Sequence, residues 1–117
     1  MTLRVLTVVA GVALLLPFGT TAWAKKGGPK PTPAQKCTAG KLRTAGQYEL
    51  CRLAAEAAVV ATAGTPDFSK CDATITAKWT KIESKAKGAC PVTADVGTVQ
   101  TEVTADATAL AGAISPP

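Results

Sequence analysis

The residues of this 117-residue chain whose type and spacing could support chemistry are its four cysteines, Cys37, Cys51, Cys71 and Cys90. Cysteine side chains can bind zinc, exchange disulfides in redox catalysis or form structural disulfides. No two of them are spaced as C-x-x-C, and the chain contains no histidine. This pattern argues against a metal site and against a thioredoxin-like redox site, and it favours two structural disulfides.

The first 24 residues have the pattern of a cleavable secretory signal peptide. Arg4 precedes an uncharged apolar run over residues 5–16, and the small side chains of Ala22 and Ala24 fit cleavage after Ala24. The run is shorter than the roughly 20 residues that span a bilayer, although an uncleaved membrane anchor is the alternative interpretation. We predict a secreted or periplasmic protein, which would lie in a compartment where disulfides persist.

Residues 25–36, KKGGPKPTPAQK, predict a basic linker rich in proline and glycine. We interpret it as a solvated spacer. The alternative is a cationic handle that makes weak contact with an anionic surface through Lys25, Lys26, Lys30 and Lys36. From residue 37 onward basic and acidic residues balance, so the net charge of +5 comes from the first 36 residues. The charge therefore does not predict a nucleic-acid partner for the folded part.

Residues 37–114 predict three amphipathic helices and 115–117 a frayed tail. Helix one is expected over about 38–61, with Gly46 marking a close helix contact and with one apolar face formed by Leu42, Gly46, Leu50, Leu53, Ala57 and Val60. Helix two is expected to begin with a capping box of Ser69 and Asp72, preceded by Phe68 as a hydrophobic staple, and to end at Gly88. Its apolar stripe comprises Cys71, Ile75, Trp79, Ile82 and Ala86.

Helix three is expected after Pro91, with Thr93 as its cap. Its apolar residues recur at intervals of three and four, which favours a helix over a strand despite the many β-branched side chains: Val92, Val96, Val99, Val103, Ala107, Leu110 and Ile114. It carries only acidic charges, whereas helix two has an excess of lysines. These charges favour packing the two helices side by side, unless both faces are simply solvated.

Helix length selects one disulfide pairing. Cys37 and Cys51 would lie ~21 Å apart on one helix, whereas bonded cysteines have Cα atoms within roughly 7 Å. Bonds within each helix therefore fail, and a crossed pairing would join opposite ends of an antiparallel hairpin. The nested pairing remains, with Cys51 bonded to Cys71 near the turn and Cys37 bonded to Cys90 at the open end.

Catalytic and cofactor signatures are absent from the sequence. Without histidine, Ser-His-Asp and Cys-His arrangements cannot form, and no glycine-rich phosphate loop is present. Tyr48 and Trp79 could stack on a ligand, but they lie at or beside core positions, so burial is the favoured interpretation. We therefore predict no enzymatic activity and no cofactor.

The blocks KLRTAGQYELCRLAAEA, PDFSKCDATITAKW and GACP resemble segments of exported four-cysteine helical proteins from myxobacteria and related deltaproteobacteria. The resemblance covers roughly residues 37–91. It implies a bacterial exported protein and implies no activity.

Together these features predict an all-α domain, a small three-helix bundle in which a disulfide-stapled antiparallel hairpin packs with a third amphipathic helix. The expected function is structural or protein-binding, toward an unknown protein or envelope component. The alternative is a secreted effector, either an enzyme inhibitor or a cationic membrane-active protein.

Overall fold

The computed structural model describes residues 28–115, which contain three α-helices and no strand. Helix α1 spans Pro33–Val60, α2 spans Ser69–Ala86 and α3 spans Val96–Ile114. Helices α1 and α2 form the predicted antiparallel hairpin, and α3 packs mainly against α1 and less against α2. The all-α prediction is confirmed. None of the helices in this part of the chain is long and apolar enough to cross a membrane.

Helix α1 begins at Pro33, about five residues earlier than predicted. Thr32 and Gln35 form a capping box: the Gln35 N–H donates to Thr32 Oγ1 (3.2 Å) and the Thr32 N–H donates to Gln35 Oε1 (2.8 Å). Pro33 follows at the first helical position, where its missing N–H costs nothing. Helix α1 therefore includes residues 33–36, the last four residues of the segment 25–36. Ala22, Ala24, Lys25 and Lys26 lie outside the described residues.

The buried face of α1 is not the predicted one. Leu42, Leu50 and Val60 are 70%, 69% and 75% exposed. The buried residues are instead Cys37, Lys41, Thr44, Tyr48 and Arg52. The reason is the disulfides: both cysteines of α1 lie on one stripe, and bonding them to partners outside α1 turns that stripe inward.

The close helix contact also differs from the prediction. Apart from its chain neighbours and the adjacent backbone of α1, no atom of the described residues lies within 4 Å of the position that a Cβ on Gly46 would occupy. At Gly40, by contrast, a Cβ would stand 3.4 Å from the Ile82 side chain. Gly40, one turn after Cys37, is therefore where α1 and α2 approach closely.

The apolar stripe of α2 is confirmed in its buried members, Cys71, Ile75 and Trp79. The predicted capping box of Ser69 and Asp72 is wrong. The Ser69 N–H donates to Asp67 Oδ1 (2.9 Å), while the Asp72 carboxylate accepts a hydrogen bond from Tyr48 on α1. The chain leaves the helix through left-handed Lys87 and Gly88, with φ angles of 48° and 83°.

Helix α3 is confirmed as a helix, and the apolar residues of its N-terminal part face the core as expected. Val96, Val99 and Val103 pack against the core cluster and Ala107 is buried. The last apolar positions, Leu110 and Ile114, are largely exposed. The N-cap residue is Asp95, not the predicted Thr93.

The two disulfides join Cys37 to Cys90 and Cys51 to Cys71, with Cα–Cα distances of 5.5 and 5.8 Å. This is the nested pairing that helix length predicts. One bond closes the open end of the hairpin and the other lies near its turn. Disulfides persist in oxidising compartments, so they indicate an extracellular or periplasmic environment.

We expect the outer disulfide to stabilise the fold more than the inner one. The Cys37–Cys90 bond has a sequence separation of 53, against 20 for Cys51–Cys71, and closing a longer loop removes more entropy from the unfolded chain. Replacing either pair by alanine should lower the free energy of unfolding by about 2–4 kcal/mol, the outer pair by roughly 0.9 kcal/mol more. Urea unfolding followed by circular dichroism measures both losses. An equal or larger loss for the inner pair would contradict the expectation.

Candidate functional site

A buried lysine lies at the junction of all three helices. Lys41, only 8% exposed, donates from Nζ to Asp95 Oδ1 (2.5 Å), Glu83 Oε1 (2.7 Å) and the Val92 carbonyl oxygen (2.7 Å). An ammonium group has three protons to donate, so these three acceptors match its capacity. Lys41 thereby ties α1 to α2 and to the segment that leads into α3.

Trp79 extends this junction. Its Nε1 donates to Asp95 Oδ1 (2.8 Å), and Lys41 Nζ lies 5.1 Å from the centre of its ring system, within cation–π range. The Glu83 carboxylate also accepts the Ala94 N–H (3.2 Å). The two carboxylates thus fix both the lysine and the backbone just before α3.

The ionisation of this junction is set by competition between burial and pairing. Burial disfavours the charge on Lys41, but the hydrogen bonds from Nζ to Asp95 and Glu83 and the attraction of their charges together outweigh it and raise the pKa of Lys41 above its ordinary value. Burial likewise opposes the charge on Asp95, and the hydrogen bonds from Lys41 and Trp79 outweigh it and lower the Asp95 pKa. Both groups are therefore charged over a wide pH range.

A second polar cluster lies beside the inner disulfide. Arg52, 8% exposed, donates from one guanidinium nitrogen to Tyr48 Oη (2.9 Å) and to Asp72 Oδ1 (3.3 Å). Tyr48 Oη in turn donates to Asp72 Oδ1 (2.6 Å), and the guanidinium lies 3.8 Å from the centre of the Phe68 ring. Each disulfide thus has a buried cation next to it on α1.

An open cleft of about 370 Å³ lies between α1 and α3, above the Lys41 junction. Lys41, Trp79 and Asp95 contribute to its lining, and Glu102 and Asp106 contribute carboxylates from α3. The remaining lining is mainly apolar: Leu42, Ala45, Pro91, Val92, Val99 and Val103. A cleft of this kind can hold the apolar side chains of a partner.

The ionisable side chains of this junction are paired with one another. Glu83 and Asp95 share one ammonium group, so both serve as ion-pair partners. Within residues 28–115, no group of three or more His, Cys, Asp or Glu side chains is placed to hold a metal ion. The four cysteines are all in disulfides.

Sequence reasoning found part of this site. Tyr48 and Trp79 are buried as predicted, and Lys30 and Lys36, two of the lysines of the predicted cationic handle, are exposed. Lys41 and Arg52 were missed. Their positions could have indicated burial. Lys41 lies one turn after Cys37 and Arg52 lies directly after Cys51, on the stripe that the disulfides turn inward.

Comparisons with protein-family models, with curated proteins and with solved structures found no match for this chain.

We expect Asp95 to contribute to the loss of stability at acid pH and Lys41 to its loss at alkaline pH. Because the Asp95 pKa is lowered in the folded state, its contribution is present above the unfolded-state value near 4 and is lost as pH falls through the folded value. Because the Lys41 pKa is raised, its contribution is present below about pH 10.4 and is lost as pH rises through the folded value.

The variant Asp95→Asn should lower the free energy of unfolding at pH 7 by about 1–3 kcal/mol and flatten its decline below pH 4. Asp106→Asn removes the same charge at an exposed position on α3 and should change stability by less than about 0.5 kcal/mol. Urea unfolding between pH 2 and 11 measures both effects. Equal losses in the two variants would contradict a role for the Lys41 junction.

Proposed function

We propose that this chain is a secreted or periplasmic domain without enzymatic activity that binds a partner protein through the cleft between α1 and α3. The observation that carries the proposal is the apolar lining of that cleft. Leu42 and Val92 line it while remaining 70% and 59% exposed. Apolar side chains left exposed around a concave surface are typical of a binding site.

The charges around the cleft indicate the chemistry of the partner. Glu102 and Asp106 lie on α3 at the cleft, and the sequence of α3 contains no lysine or arginine. Their carboxylates would attract a partner segment that carries basic residues beside its apolar ones. The partner proposed is therefore a protein segment with apolar side chains flanked by lysine or arginine.

The scaffold is suited to this role because the cleft is preorganised. The Cys37–Cys90 disulfide and the Lys41 junction fix one end of the cleft, so little ordering is needed when a partner binds. Export to an oxidising compartment is supported by the two disulfides and by the signal-like first 24 residues. Membership of the exported four-cysteine group is part of the same proposal and rests on the sequence blocks alone.

Two leucines on α1 provide a matched test. Leu42 lines the cleft and Leu50 does not, yet their exposures are 70% and 69%. The protein is purified as the cell exports it, and peptides selected on it from a displayed library are titrated by calorimetry. We expect Leu42→Gln to weaken peptide binding by roughly tenfold, whereas Leu50→Gln should leave it within about twofold.

Selected peptides should be rich in apolar and basic residues. The variant Glu102→Gln should weaken their binding more at low salt than at high salt. Equal effects of the two leucine variants would place binding elsewhere and overturn the proposed site. The intact mass of the exported protein checks the rest of the proposal: it should lack residues 1–24 and contain two disulfides. Retention of residues 1–24 would contradict cleavage after Ala24.

A further inference from the structure

A groove between α1 and α2 collects five exposed cations. Two adjacent depressions of about 310 and 300 Å³ share Ile82 and Lys85 in their linings and together form this groove. Helix α1 contributes two of the cations and α2 contributes three: Lys36, Arg43, Lys78, Lys81 and Lys85. The groove is lined by other residues than the α1/α3 cleft, apart from Cys37.

The positive charge of the groove is uncompensated. Within residues 28–115, no carboxylate lines either depression, and none of the five cations belongs to an ion pair. Lys78 Nζ donates to Gln47 Oε1 (2.7 Å), which leaves its charge unneutralised. An anion entering this groove would therefore meet several cations and no competing acid.

The internal ion pairs explain why these cations have no partners. The sequence of α2 contains two acidic residues, Asp72 and Glu83. Asp72 pairs with Arg52 and Glu83 pairs with Lys41, both cations of the buried α1 stripe. Since both acids of α2 are paired with cations of α1, neither neutralises the lysines of α2 that line the groove, where Arg43 adds to the same charge.

The cations follow a line along the helix pair. Lys78, Lys81 and Lys85 are three and four residues apart, so they lie on one side of α2 over ~10 Å. Arg43 and Lys36 lie seven residues apart on the facing side of α1, which also spans ~10 Å. Two parallel rows of charge on either side of a groove fit a linear polyanion that lies between them.

We propose that this groove binds a linear acidic polysaccharide of the kind an exported protein meets outside the cytoplasm. Ammonium and guanidinium groups bind carboxylate and sulfate groups through charge-assisted hydrogen bonds. No aromatic ring of the described residues lines the groove, whereas single-stranded nucleic acid is typically held by stacking. None of the large apolar side chains that are exposed among the described residues lines the groove, whereas membrane-surface helices insert such side chains.

The test compares two variants that lose the same charge. The groove variant is Lys78→Gln/Lys81→Gln/Lys85→Gln, and the control is Lys30→Gln/Lys70→Gln/Lys87→Gln, whose three lysines are also exposed. Exported protein is titrated with polygalacturonate and dextran sulfate over a range of salt concentrations, with neutral dextran as the reference polymer. We expect the groove variant to bind the acidic polymers roughly tenfold more weakly, with a shallower salt dependence. The control should stay within about twofold.

A third variant, Lys78→Arg/Lys81→Arg/Lys85→Arg, keeps the charge and should keep the binding, and the circular dichroism of all variants checks that they fold. Equal losses in the groove and control variants would show binding by net charge alone and overturn the proposal. The proposal would also be overturned if the protein bound neither polygalacturonate nor dextran sulfate at low salt. Tighter binding to single-stranded DNA or to vesicles with anionic lipids than to the polysaccharides would also overturn it.

Discussion

The two disulfides determine which side of α1 faces the rest of the molecule. Cys37 and Cys51 are 14 residues apart, which is nearly four helical turns, so they share one stripe. Bonding them to Cys90 and Cys71 turns that stripe inward. Each disulfide stabilises by about 2–4 kcal/mol, comparable with the roughly 1.5–3 kcal/mol for burying one leucine. Two cross-links can therefore leave Leu42 and Leu50 exposed.

Turning this stripe inward buries Lys41 and Arg52, and the structure compensates each charge. Three acceptors surround Lys41 Nζ, and Arg52 is held by Tyr48, Asp72 and the Phe68 ring. Among the described residues, no buried side-chain nitrogen or oxygen lacks a hydrogen-bond partner. Complete pairing of this kind is what makes buried charge tolerable.

The sequence predicted what depends on local pattern and missed what depends on distant partners. The stripe of Cys71, Ile75 and Trp79 follows from helical spacing alone, and the nested pairing follows from helix length. The predicted capping box of Ser69 and Asp72 fails because Tyr48 and Arg52 hold the Asp72 carboxylate, and Asp67 accepts the Ser69 N–H instead. The acceptors that hold Lys41 lie 42 to 54 residues further along the chain, so no local signal announces them.

The two candidate surfaces do not follow from the local pattern, because each combines side chains from two helices. The apolar spacing of α1 predicted the wrong face of that helix as the buried one. With the leucines of α1 inward, the α1/α3 cleft would lack Leu42.

Internal pairing of acids also explains how the surface charge is distributed. Asp72, Glu83 and Asp95 are paired with Arg52 and Lys41, which leaves lysines along the α1/α2 groove and Glu102 and Asp106 on α3. A domain that is electrically balanced from residue 37 onward thus presents a basic groove and an acidic cleft on different helix pairs.

The disulfide at Cys90 and the contacts of Asp95 hold the start of α3 against α1, whereas Leu110 and Ile114 at its far end are largely exposed. The cleft therefore has a fixed wall near Val99 and Val103 and a less supported end beyond Ala107. A partner that extends along α3 would cover the apolar side chains that the bundle itself leaves in solvent.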